Sequence, residues 1–151
     1  MTTYISNDMK RFNHLISEID ATYHEISFSL GLSDSAMKIL YTICDSGDRC
    51  PLREICRRSG VSKQTINSAV RKLEKEGILY LESIDSKNKN ACLTDTGRQL
   101  AKHTAIRLIE IENNIFASWS KNEVEKYLEL TERFLTSLKE KHMQMQVWEG
   151  K

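Results

Sequence analysis

Proline occurs once and glycine six times in these 151 residues, and the longest unbroken apolar run, Ile78 to Leu81, is four residues. So few turn-formers exclude an all-β sandwich, which needs a turn signal about every 8–12 residues. No stretch approaches the roughly 20 apolar residues that cross a bilayer. Met1 to Phe12 lacks the apolar core of a secretory signal, and no transit-like stretch follows. Also missing are a Gly-rich phosphate loop, an H-E-x-x-H pair, a G-x-S-x-G elbow and any C-x-x-C. No catalytic constellation and no usual zinc spacing therefore stand out, and an enzyme is not expected. What remains is 40% apolar and 28% charged residues. That mixture suits one folded, mainly helical, cytoplasmic domain with no membrane partner.

Charge is nearly balanced at +1, but it is unevenly spread. Between Arg53 and Lys89 nine basic residues face five acidic ones, giving +4 there and −3 elsewhere. A basic middle between neutral-to-acidic ends is a localised electrostatic footprint of the kind that meets nucleic acid.

Apolar spacing divides the chain. Ile5, Met9, Phe12, Ile16, Ile19, Tyr23, Ile26 and Leu30 alternate steps of four and three, a coiled-coil-like stripe on a long first helix that Gly31 closes. Ser33 can cap a second helix with Ala36, Met37, Leu40, Tyr41 and Cys44 inward, ended by Asp45-Ser-Gly-Asp. Pro51 suits the first turn of a short third helix, whose buried face is Leu52, Ile55 and Cys56. Ser59-Gly60 breaks it, and Ser62 caps a fourth helix with Ile66, Ala69, Val70 and Leu73 on its apolar side.

At 100° per residue, Gln64, Asn67, Ser68, Arg71 and Lys75 fall opposite that side, flanked by Thr65 and Lys72. This face holds donors, acceptors and cations but no carboxylate. Two short helices joined by a Gly-containing turn make a helix-turn-helix. Gly77 ends the fourth helix, Ile78–Ile84 reads as a strand, Asp85–Asn90 as a polar turn and Ala91–Leu93 as a returning strand, together a wing. Thr94 can cap a fifth helix running to about Ala117, with Leu100, Thr104, Leu108, Ile111 and Ile115 on one side. Ser120 with Glu123 forms a capping box, and Trp119 with Val124 a staple, for a sixth helix striped by Val124, Tyr127, Leu128, Thr131, Phe134, Leu135 and Leu138.

In Leu32-Ser-Asp-Ser-Ala-Met-Lys-Ile-Leu40, Leu52-Arg-Glu-Ile-Cys-Arg-Arg-Ser-Gly-Val-Ser62, Val70-Arg-Lys-Leu-Glu-Lys-Glu-Gly-Ile78 and Leu93-Thr-Asp-Thr-Gly97 the chain resembles the MarR-type winged helix-turn-helix transcriptional regulators. The resemblance implies a mainly α fold with a small β-hairpin wing. It divides the chain into an N-terminal dimerisation helix (1–31), a winged helix-turn-helix DNA-binding lobe (32–97) and C-terminal dimerisation helices (98–151), in one compact domain. It further implies a homodimer on a pseudo-palindromic operator, a repressor released by a small-molecule or other signal. Where the family's wing usually carries arginine after its Asp, this one carries Lys87 and Lys89 after Asp85, in a shorter hairpin.

The expected DNA contacts are Ser62, Lys63, Gln64, Thr65, Asn67, Ser68, Arg71, Lys72, Lys75, Lys87 and Lys89. Gln64 and Asn67 can pair with adenine, Arg71 with guanine, and Ser68 with several bases. Amides near Ser62 and Lys63, together with Lys72, Lys75, Lys87, Lys89, Arg57 and Arg58, suit phosphates. His24, Phe28 and Tyr41 are the aromatic candidates for an effector cleft. Cys44 and Cys56 lie on apolar faces and read as small hydrophobes, whereas Cys50 and Cys92 stand at element ends, where a redox switch would sit. His14, His24, His103 and His142 include no i,i+4 pair, so no metal and no cofactor is assigned. The rival readings are a winged-helix protein-interaction module and a redox- or metal-sensing variant of the same regulator.

Overall fold

The computed structural model describes residues 3–145 and Gly150. Among the described residues seven helices and three strands follow one another as α1 (Asn7–Ser29), α2 (Asp34–Asp45), β1 (Arg49–Pro51), α3 (Leu52–Ser59), α4 (Lys63–Lys75), β2 (Leu79–Ser83), β3 (Lys89–Leu93), α5 (Asp95–His103), α6 (Ala105–Ala117) and α7 (Lys121–Gln144). They form two compact units, 1–109 and 110–151.

The first unit is built around α2. Ser33 caps this helix through the Ala36 amide at 3.1 Å, as the sequence predicts. Its burial is wider than the predicted stripe. Ile39 and Ile43 are fully buried with Ala36, Met37 and Leu40, while Tyr41 and Cys44 are only half-buried. The reason is that α2 is packed by α1, α3, α4, α5 and the sheet, so it buries most of its circumference. Ile55, Ile66, Val70, Leu73, Leu79, Ala91, Leu93, Ala101, Ala105 and Leu108 close the same core.

The sheet differs from the expected hairpin. It has three antiparallel strands in the order β1-β3-β2, because Arg49–Pro51 pairs with Asn90–Cys92. Pro51 ends this short edge strand, where its missing N–H breaks no ladder bond, and takes the N-cap position of α3 rather than its first turn. β3 begins at Lys89 rather than Ala91, so Lys89 lies in the strand opposite Ser83, and the turn narrows accordingly.

The predicted fifth helix is two helices. At buried Thr104 the backbone turns to φ −130°, ψ −90°. Its hydroxyl donates to the Leu100 carbonyl at 2.8 Å, and its amide bonds the Ala101 carbonyl three residues back.

The second unit carries α7, which starts with the predicted capping box: the Ser120 amide donates to Glu123, and the Glu123 amide to Ser120 Oγ. Trp119 meets the rings of Phe116 and Tyr127 at centroid distances of 5.2 and 5.4 Å. No described residue of α7 is buried. No helix among the described residues is long and apolar enough to cross a membrane.

Candidate nucleic-acid interface

The helix-turn-helix is assembled locally. The Ser59 hydroxyl donates to the Cys56 carbonyl and accepts the Val61 amide, both at 3.2 Å. Gly60 takes the left-handed conformation at φ 66°, which a side chain would oppose. Val61 is half-buried against the core, and Ser62 opens α4 by accepting the Thr65 amide at 3.2 Å. The Ser62 hydroxyl also donates to Thr65 Oγ1 at 2.9 Å, so both hydroxyls serve the cap.

Ile66, Val70 and Leu73 anchor α4 to the core, which points the opposite face outward. Lys63, Gln64, Asn67, Ser68 and Arg71 line one open depression of about 480 Å³ on that face. Among the described residues, none of these five side chains has a hydrogen bond or ion pair. Unsatisfied donors, acceptors and cations on one rigid helix are what a base edge or phosphate can engage. Lys75 is exposed and unpaired among the described residues, while Lys72 lies 4.0 Å from Glu76.

The wing turn is held by Asp85. Its Oδ1 accepts the Lys87 and Asn88 amides, each at 2.8 Å, and both carboxylate oxygens accept the Asn88 side chain. These bonds, the Asn88 side chain foremost, hold the Asp85 carboxyl below the usual range. Lys87 projects from the turn and Lys89 from β3, both exposed.

Two expected phosphate contacts are engaged within the protein. Arg57 chelates Glu54 through Nε and Nη2, a pair that lowers the Glu54 carboxyl and raises the Arg57 guanidinium. Arg58 pairs with Asp45 at 2.6 Å. Arg53 was not assigned a role from sequence, yet it is exposed and unpaired among the described residues. Its place beside the wing depends on the β1–β3 pairing, which a three-residue strand did not announce.

The effector candidates lie on α1 and α2. His24 Nδ1 is 2.8 Å from Asp34 Oδ2, Phe28 is 78% exposed, and Tyr41 packs against the core. Cys50 and Cys92, expected at element ends, are both buried within the sheet. The Cys92 thiol is pushed up chiefly by burial, then by the charge of Glu82. Burial pushes Cys44 up to about 11, with the Asp48 charge assisting. No group of three or more His, Cys, Asp or Glu among the described residues is placed to hold a metal ion.

A helix-turn-helix followed by an antiparallel wing, all on one core, defines a winged helix-turn-helix protein. Residues 30–87 match the model of the MarR family, the segment that holds the helix-turn-helix and the start of the wing. The fold is similar to that of NMB1585, a MarR family regulator from Neisseria meningitidis, with a TM-score of 0.80 at 16% identity over 92% of this chain and 99% of that one. Sco3205, a MarR family transcriptional regulator from Streptomyces coelicolor solved in complex with DNA, matches with a TM-score of 0.69 at 17% identity over 91% and 92% of the two chains. The PcaV transcriptional regulator of Streptomyces coelicolor, solved with its natural ligand, matches with a TM-score of 0.65 at 16% identity over 90% and 99%. A comparison with curated proteins finds no match.

Proposed function

We propose that this chain is a cytoplasmic, non-enzymatic transcriptional regulator, a repressor that binds a pseudo-palindromic operator as a homodimer and is released by a small-molecule signal. The observation that carries the reading is the outward face of α4, where Gln64, Asn67, Ser68 and Arg71 have no protein partner among the described residues. An idle solvated face would not need a carboxylate-free set of base-reading side chains on a helix-turn-helix beside a lysine-bearing wing. Gln64 and Asn67 read adenine, Arg71 reads guanine, and Ser68 adapts to its neighbour. Lys63, Lys72, Lys75, Lys87 and Lys89 meet phosphates, while Ser62 and Thr65 fix the helix entry. Sco3205 in complex with DNA and PcaV with its natural ligand support the two partners by likeness of fold. The effector reading keeps His24, Phe28 and Tyr41 as its residues.

The test is titration of the purified protein against a duplex from upstream of its own gene and against a scrambled duplex, at two salt concentrations. Tight, salt-sensitive binding to the upstream duplex alone is expected. Arg71→Ala then costs about 1–3 kcal/mol and relaxes specificity at one base pair. Lys75→Ala weakens all sequences alike and lowers the salt slope by about one. Binding to neither duplex at low salt would move the protein-interaction module to first place.

A further inference from the structure

Arg53 stands in the first turn of α3, two residues beyond Pro51. Pro51 is paired with Asn90 in the antiparallel β1–β3 ladder, so α3 starts at the end of the sheet that carries the wing turn. The Arg53 charge is felt there, as one of the influences lowering the Asp85 carboxyl. No ion pair joins Arg53 to Asp85, whose oxygens accept the Lys87 and Asn88 amides and the Asn88 side chain. Of the three arginines on α3, Arg57 is held by Glu54 and Arg58 by Asp45, while Arg53 alone has no ion pair among the described residues. An unpaired guanidinium at the start of the first helix of a helix-turn-helix lies where that helix crosses the nucleic-acid backbone.

We infer that Arg53 is a backbone-phosphate ligand of bound duplex DNA, acting beside Lys87 and Lys89 as the guanidinium of an otherwise lysine-only wing region. This rests on the DNA-binding reading above. A planar, weakly hydrated fork can hold two phosphate oxygens at once, which a lysine ammonium does as a point charge only. Arg53 thus fixes the register of the wing on the duplex without selecting sequence.

The experiment measures the affinity of wild type, Arg53→Ala, Arg53→Lys and Lys102→Ala for the upstream and the scrambled duplex across a salt series. Arg53→Ala is expected to weaken both duplexes by a similar factor, about fivefold or more, and to lower the salt slope by about one. Arg53→Lys is expected to restore the slope but not the full affinity, and Lys102→Ala, at an exposed position on α5, to behave as wild type. If wild type binds and Arg53→Ala matches it in affinity and slope, the inference is overturned alone. A loss confined to the upstream duplex with an unchanged slope overturns it too, since that marks base selection. No binding by wild type to either duplex overturns this inference together with the reading it rests on.

Discussion

Gly97 shows how tightly one residue can be constrained by backbone alone. A Cβ built there would lie 2.1 Å from the Ile78 carbonyl oxygen, which is main chain and cannot swing away. Thr94 sets that approach: its hydroxyl bonds the Gly77 carbonyl at 2.6 Å and accepts the Gly97 amide at 2.9 Å. The Leu93-Thr-Asp-Thr-Gly97 motif is therefore a joint between β3, the start of β2 and α5. Gly97→Ala should destabilise the fold by about 1–3 kcal/mol, read as a lower urea midpoint at unchanged slope, while exposed Gln99→Ala on the same helix stays within about 0.5 kcal/mol. Cys44 carries a second expectation at this scale. With its thiol pushed up to about 11, the folded chain holds it neutral while an unfolded thiol ionises first. Its contribution to stability is thus complete below the ordinary thiol value and declines as pH climbs through it toward about 11. Alkylation of the native protein at pH 8 should leave Cys44 largely unmodified, and rapid labelling there by mass spectrometry would contradict the burial described.

Among the elements, the wing depends on an ionised carboxylate. Asp85 is held below the usual range by the Asn88 side chain and by the Lys87 and Asn88 amides, so its ordering effect is present at neutral pH. Because its folded value is depressed, that effect is lost as pH falls below the ordinary carboxylate range and through the lowered value. The Lys87 and Asn88 amide resonances should shift together in that window, and Asp85→Ala should abolish the shift and speed amide exchange in the turn. Insensitivity of both amides to acid would sink the idea. The helices were largely legible in advance because their ends are chemically marked: Ser33, Ser62, Thr94 and Ser120 all cap as their side chains predict. β1 was not legible, since three residues show no alternation and exist as a strand only through β3. Nor was the break at Thr104, because the apolar spacing runs on through it without a change in period. The α4 face was readable from helical spacing alone, whereas the pairing of Arg57 and Arg58 required knowing which acids reach them.

On the scale of the whole molecule, the apolar stripes read from the sequence keep much of their surface exposed, although Ile26 and Leu30 at the end of the first stripe pack against the core. Ile5 just before α1 and Phe12, Ile16, Ile19 and Tyr23 on it are 38–46% exposed, and Tyr127, Leu128, Phe134, Leu135 and Leu138 on α7 are 42–57% exposed. The sequence showed the stripes but not whether the same chain would bury them. Apolar surface recurring every three or four residues over helices of 23 and 24 residues is far more than scattered surface leucines. A two-fold operator needs two recognition helices about 34 Å apart, and one chain supplies a single α4. A second copy covering these stripes meets both demands, so the wild-type protein is expected to be dimeric at micromolar concentration by light scattering. Leu128→Glu combined with Leu135→Glu places two charges on the α7 stripe at exposed positions. The double variant should shift toward monomer mass and bind the upstream duplex at least about tenfold more weakly, because the two half-sites no longer act as one linked event. A wild-type monomer with undiminished operator affinity would show instead that the stripes serve another partner and that one α4 suffices for binding.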